Sequence, residues 1–151
     1  MTSSYSFSKT EKAFWKNSRI QDFSTAIPYI LVDNFPKLGL ITSLRFLEWV
    51  SENPEGVISL PTGKTPEYFI KYTSFLLENW QTKKAQQILG QYGLSELKKP
   101  DLRGLQFVQI DEFYPIPPEQ HNSFYNYVVN FYLKPFGMDM SRALLINCNE
   151  I

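Results

Sequence analysis

The stretch VISLPTGKTPEYF, residues 57–69, decides how this chain is read. Its first four residues, Val57 to Leu60, form an unbroken apolar run, as expected of a strand buried on both faces. Thr65-Pro66-Glu67 then reads as a helix start. Thr65 is the expected cap, Pro66 fills the first turn where a missing N–H costs nothing, and Glu67 suits the positive end of the helix dipole. Phe69, Tyr72 and Leu76 continue one face of that helix. A strand passing through a Gly-containing turn into a helix is the repeating unit of an α/β fold.

The flanks extend this pattern. YILVD (29–33) is a candidate strand, and from Lys37 onward Leu40, Ile41, Leu44, Leu47 and Val50 follow helical spacing until ENPEG (52–56) breaks the chain. A second helix is expected over 83–92, ended by Gly93. LQFVQID (105–111) is the next strand and leads into two carboxylates, Asp111 and Glu112. The prolines of YPIPPEQ (114–120) exclude regular structure there. Asn122 or Ser123 then caps a helix that should stop at Pro135. Its aromatic row, Phe124, Tyr125, Tyr127, Phe131 and Tyr132, reads mostly as core. ALLIN (143–147) closes the series as a last strand. The order implies a parallel sheet with right-handed crossovers, hence a three-layer Rossmann-like α/β domain over 29–151. Residues 1–28 read as a polar, Ser-rich extension with a short helix near Lys9–Lys16.

Composition narrows the function. With 151 residues, 43% hydrophobic and 20% charged, the chain suits one globular domain with a real core. Fifteen basic and fifteen acidic residues balance, so the basic excess that nucleic-acid binding needs is missing. No apolar run approaches a membrane span, and the N-terminus lacks the apolar core of a secretory signal. The lone Cys148 excludes an internal disulfide framework and reads as a small buried thiol. A cytoplasmic protein with no membrane partner is expected. His121, in the loop before a helix, reads as a solvated residue.

In open α/β sheets ligands bind beyond the carboxyl ends of the strands. Both polar clusters fall there: Thr62, Gly63, Lys64 and Thr65 after one strand, Asp111 and Glu112 after another. A nucleotide triphosphatase would use Gly63-Lys64-Thr65 as the tail of its phosphate loop and Asp111 as a magnesium ligand. That loop requires a Gly five residues before its second Gly, and the position is occupied by Ile58, inside the strand. Pro61 and Pro66 also lack the N–H groups such a cradle uses. A single phosphate monoester asks less. It can sit on free N–H groups at a helix N-terminus, aided by the Thr62 and Thr65 hydroxyls and the Lys64 ammonium. Asp111 could then move a proton on the attached sugar. The bland alternatives are a plain strand-to-helix turn, and carboxylates that merely bond neighbouring backbone; for Glu112 that structural role stands level with a chemical one.

Here the residues carry a resemblance. Leu60-Pro61-Thr62-Gly63-Lys64-Thr65-Pro66 resembles the Leu-Pro-Thr-Gly-Gly-Thr-Pro segment of the glucosamine-6-phosphate deaminase (isomerase) family. QIDEFYPIP (109–117) followed by SFYNYVVNFYLKPFGM (123–138) resembles that family's Met-Asp-Glu-Tyr strand end and the helix after it. The resemblance runs from about Tyr29 to the end. It implies a Rossmann-like domain that converts glucosamine 6-phosphate to fructose 6-phosphate and ammonia without a cofactor or metal. It also implies that Asp111 shuttles a proton between sugar carbons 2 and 1, and that Thr62, Gly63 and Thr65 bind the phosphorylated substrate. Lys64 stands where the family has a second Gly. It is costly if that position needs positive φ, and otherwise offers a charge to the phosphate. Glu112 joins the substrate-binding candidates.

The family also carries an Asp-Gly-His motif and a Glu downstream of this strand, beyond Ile151. The chain is therefore expected to correspond to the N-terminal part of such a domain, as a fragment or as a catalytically incomplete remnant. A sugar-phosphate-sensing module and a 6-phosphogluconolactonase-like hydrolase are the alternatives within this reading. Because the family often forms oligomers, a homo-oligomer is among the expectations.

Overall fold

The computed structural model describes residues 7–16 and 29–148. Three strands, β1 (Val57–Ile58), β2 (Gln106–Val108) and β3 (Ala143–Leu144), form one sheet in the order β1-β2-β3, and both pairings are parallel. Helices α2 (Phe35–Glu52), α3 (Glu67–Glu78) and α4 (Lys83–Gln91) lie between and before the strands. After β2 the chain forms α5 (Phe124–Val128), a π-helical turn (Val129–Leu133) and α6 (Lys134–Phe136). The α/β reading with a parallel sheet holds.

Local chemistry explains the helix ends. Asn34 caps α2, its side-chain oxygen accepting from the Lys37 N–H at 2.9 Å, and Pro36 sits in the first turn. Thr82 caps α4 by accepting from the Ala85 N–H, and Gly93 follows that helix at φ 73°. Ser123, one of the two expected caps, bonds the Asn126 N–H at the start of α5.

Packing of α2 on α3 is close enough to need glycine. A Cβ on Gly39 would lie 2.4 Å from the Tyr68 Cβ and 2.7 Å from the Phe69 nitrogen. Beside this crossing the Ser43 and Thr73 hydroxyls, both fully buried, bond each other at 2.9 Å. The core joins these helices to the sheet through an aromatic cluster of Phe46, Phe69, Phe107, Tyr132 and Phe136. Its ring centroids are 5.5 to 6.4 Å apart, in tilted and edge-on pairs.

The expected short helix forms as α1 (Lys9–Lys16) and is tied to the core. Glu48, buried on α2, accepts from the Lys9 N–H, the Thr10 N–H and the Thr10 hydroxyl. A carboxylate at the positive end of a helix satisfies both its own charge and the unpaired N–H groups. The remainder of 1–28 lies outside the described residues, apart from Phe7 and Ser8.

Three expectations about these elements are corrected. YILVD (29–33) is not a strand: Tyr29 to Val32 lack ladder pairing, and β-prone side chains alone do not make a strand without a neighbour. The 57–60 run is not buried on both faces. Ile58 and Leu60 pack against the core, whereas Val57 is 60% exposed. The same two-residue alternation exposes Leu144 beside buried-side Ala143 and Leu145, so a half-open antiparallel-like pattern appears on a parallel sheet. Finally, the helix after Ser123 does not stop at Pro135 but runs to Phe136 and ends at Gly137, φ 69°. The π turn resets the hydrogen-bond register just ahead of Pro135. The missing N–H therefore falls at the start of a new segment, where it has no bond to lose.

Candidate functional site

The phosphate-loop candidates leave β1 at the carboxyl end of the sheet. Thr62 is half-buried, and Gly63, Lys64 and Thr65 are exposed. Gly63 has φ 93°, with nothing within 4 Å of the Cβ position it lacks. The turn needs glycine for its backbone conformation, and no space constraint applies. No described residue other than glycine has positive φ. Lys64 is therefore compatible with its place in the turn, which leaves its ammonium as an added positive charge. The expected Thr65 cap does not form. The helix begins at Glu67 with Pro66 in the cap position and no side-chain cap, because the Pro66 ring already sets the entry angle. The Thr65 side chain instead borders a mostly apolar groove of about 620 Å³ between α2 and β1, also lined by Leu38, Trp49 and Ile58. Asp111 does not line that groove.

The second candidate cluster leaves β2 next door. The β1–β2 register pairs Val57 with Gln106 and Ile58 with Phe107, and the Ser59 hydroxyl extends it by donating to the Val108 carbonyl at 2.8 Å. Beyond Ser59 the two segments leave the ladder, Thr62 to Thr65 following β1 and Asp111 following β2 at the same end of the sheet. The two clusters that the sequence separates by 49 residues thus emerge side by side from neighbouring parallel strands.

Asp111 and Glu112 play different parts there. The Asp111 side chain is exposed, while its backbone carbonyl accepts from the Gln109 amide at 2.8 Å. Glu112 turns inward to the start of α5. One carboxylate oxygen accepts from the Phe113 and Phe124 N–H groups, each at 2.9 Å, and the other from the Tyr125 N–H at 2.7 Å. Glu112 therefore closes the proline-rich loop onto its helix, and Asp111 is left facing outward as the carboxylate free to meet a ligand.

Sequence reasoning missed two further contributors. Gln109, only 5% exposed, uses its whole amide. The nitrogen donates to the Asp111 carbonyl and to Glu112, and the oxygen accepts from the Ile146 N–H across β3. Of the two glutamines in the 105–111 run, Gln109 falls two residues after Phe107 on the buried face, and that alternation was the available signal. Of the aromatic row expected to be mostly core, only Tyr132 is buried; Phe124, Tyr125 and Tyr127 are half-buried and Phe131 is exposed. The Tyr127 and Tyr132 hydroxyls reach the glycine turn: Tyr127 donates to the Gly63 carbonyl at 2.7 Å and Tyr132 to the Pro61 carbonyl at 2.5 Å. His121 is exposed, as expected, and Cys148 is half-buried instead of fully buried.

The electrostatics follow the same layout. Lys71, bonded to Glu67 at 2.5 Å, holds the Glu67 carboxyl below its usual value, and Lys64 adds to the effect. Burial pushes the Tyr132 hydroxyl well above its ordinary pKa, with the neighbouring Tyr127 contributing; burial and then Glu67 raise Tyr127. An unfolded tyrosine titrates near 10. Below that value both states keep the proton and the contribution of Tyr132 is complete. Above it the unfolded chain ionises while the native hydroxyl does not, so stability falls as pH rises. Unfolding free energies measured from pH 9 to 11 should fall, with a slope of up to about 1.4 kcal/mol per pH unit from Tyr132. Tyr132→Phe should flatten that fall. An unchanged slope in the variant would refute the assignment.

Among solved structures, the chain is similar to one described as a monomeric glucosamine-6-phosphate deaminase, a "missing link" of the NagB superfamily. The two share a TM-score of 0.60 at 19% sequence identity. The match covers 78% of this chain and 42% of that one, so the chain spans less than half the length of its structural neighbour. The likeness is one of fold. No family model matches the chain, and no curated protein matches it in sequence. No helix among the described residues is long and apolar enough to cross a membrane.

Proposed function

We propose that the chain carries the phosphate-binding and proton-transfer half of a glucosamine-6-phosphate deaminase-like site. The observation behind this reading is the parallel pairing of β1 with β2, whose carboxyl ends lead into Thr62–Thr65 and Asp111. A sugar phosphate would place its phosphate on the Thr62–Thr65 turn, where backbone N–H groups, two hydroxyls and the Lys64 ammonium favour an anion. Its carbon chain would then extend toward Asp111. The carboxylate takes a proton from carbon 2 of the open-chain amino sugar and returns it to carbon 1. The resulting ketose imine takes up water and releases ammonia, leaving the ketose phosphate. Asp111 serves as a proton carrier and is regenerated. The fold likeness to a deaminase of the NagB superfamily supports the substrate class.

Binding without turnover is the second reading, favoured by the absence of Asp111 from the groove that Thr65 lines. Calorimetry tests the common core of both. Glucosamine 6-phosphate or fructose 6-phosphate should bind without magnesium, and Thr65→Ala should weaken that binding roughly 10-fold through loss of one hydrogen bond to a charged group. Magnesium-dependent binding of ATP with no sugar-phosphate binding would overturn both. Ammonia release from glucosamine 6-phosphate then separates turnover from binding alone.

A further inference from the structure

The π-helical turn at Val129–Leu133 has a geometric effect on the site. At 3.6 residues per turn, side chains five residues apart on an α-helix diverge by roughly 140°. Tyr127 and Tyr132 are five apart, and an unbroken α-helix would point only one of them at the sheet. In this chain the turn is widened: the Lys134 N–H bonds the Val129 carbonyl, an i to i+5 bond. Both rings consequently face the same way, with centroids 5.9 Å apart and edge to face. Their hydroxyls reach alternate carbonyls of one loop, Pro61 and Gly63.

These two carbonyls flank the part of the loop that most needs holding. Gly63 supplies the positive-φ kink, and a glycine kink loses more conformational freedom on ordering than any other residue. The loop is short, exposed at Gly63 to Thr65, and has a proline at each end that cannot donate a bond to fix it. Tyr132 is fully buried, so its hydroxyl is fixed by core packing before it bonds the loop. Local widening of a helix to π form is frequent at functional sites.

We infer that the π turn exists to seat a pair of tyrosine hydroxyls beneath the phosphate turn. Tyr127 and Tyr132 are thus positioning residues that hold the turn's N–H groups ready for an anion. The ligand named here, a sugar phosphate, rests on the reading given under Proposed function; the latch itself does not. In a trans peptide the N–H points opposite to the C=O, so pulling the Pro61 and Gly63 carbonyls inward turns the Thr62 and Lys64 N–H groups outward for the ligand. Binding then does not have to order the loop, which is how preorganisation raises affinity.

Tyr127→Phe, Tyr132→Phe and the double variant keep the rings and remove only the hydroxyls. Tyr127 is only half-buried, so Tyr127→Phe retains the fold even if the core variant does not. Two measurements test the latch. Backbone order parameters for the Gly63 and Lys64 amides should fall from the rigid range near about 0.85 toward about 0.6 or below. Affinity for glucosamine 6-phosphate should drop at least roughly 10-fold in the double variant, by more than the change in melting temperature accounts for. Unchanged order parameters in Tyr127→Phe and in the double variant would overturn the latch. A mobile loop that still binds at the wild-type affinity would overturn its positioning role. A mobile loop in the variants, with no sugar-phosphate binding by the wild-type chain, would uphold the latch and sink the proposed function instead.

Discussion

A Glu112→Ala variant should lose about 2–4 kcal/mol of folding stability, read as a lower urea midpoint with an unchanged slope. The carboxylate accepts from the N–H groups of Phe113, Phe124 and Tyr125. Two of those donors belong to the first turn of α5 and have no partner within the helix. Alanine strands all three at once, and it also removes a negative charge from the positive end of a helix dipole. Glu112→Gln keeps one acceptor oxygen and should recover roughly half of the loss. An exposed carboxylate without these bonds would cost no more than about 0.5 kcal/mol to remove. A loss that small would show that Glu112 does not hold the loop.

Asp111→Asn should act in the opposite sense. The side chain is exposed and no structural bond depends on it, so stability should stay within about 0.5 kcal/mol of wild type. Under the proposed mechanism, turnover of glucosamine 6-phosphate should fall by about 10²–10⁴, the usual contribution of a general acid–base. Affinity for the sugar phosphate should hardly change, because the phosphate is held on the other strand end. Ammonia release and calorimetry on the same preparation check both halves. Turnover at the wild-type rate would remove Asp111 from the chemistry. The adjacent pair Asp111-Glu112 would thus divide into one residue that reacts and one that holds, a division no spacing rule reveals.

That division marks how far the sequence could be read. Elements with their own punctuation were legible. The short helix expected near Lys9–Lys16 is present, and the one expected over 83–92 spans Lys83–Gln91, one residue shorter, with Thr82 as its local cap. The glycine turn between β1 and α3 was also legible, because Gly63 ahead of a proline-led helix marks a turn, and its φ of 93° agrees. What escaped depends on partners far along the chain. YILVD has strand-like residues, yet none of residues 29–33 is in a strand. The 57–60 run shows no alternation in its letters, and only the packing reveals which face Val57 turns outward. The helix after Ser123 was read with a 3.6-residue template. That template has no place for a π turn, so it ended the helix at Pro135 and hid the purpose of the two tyrosine hydroxyls. Tyrosine in place of phenylalanine at one core position and one packed against the core was the signal, since a buried hydroxyl must find an acceptor.

The long offset of the β1–β2 register has a further consequence, in the order of assembly. Helices α2 and α3 can meet early because little chain separates them. The β1–β2 pairing must close a loop of 49 residues first, and α4 lies inside that loop. Loop closure on this scale slows folding, since its entropy is lost before any non-local contact repays it. The strand ends that carry Thr62–Thr65 and Asp111 therefore become neighbours late in folding. As the chain leaves the ribosome, the turn can form as soon as α3 is made, but the tyrosines that hold it arrive some 64 residues later. The candidate site is among the last parts of the domain to exist, and its appearance would report that the whole fold is complete.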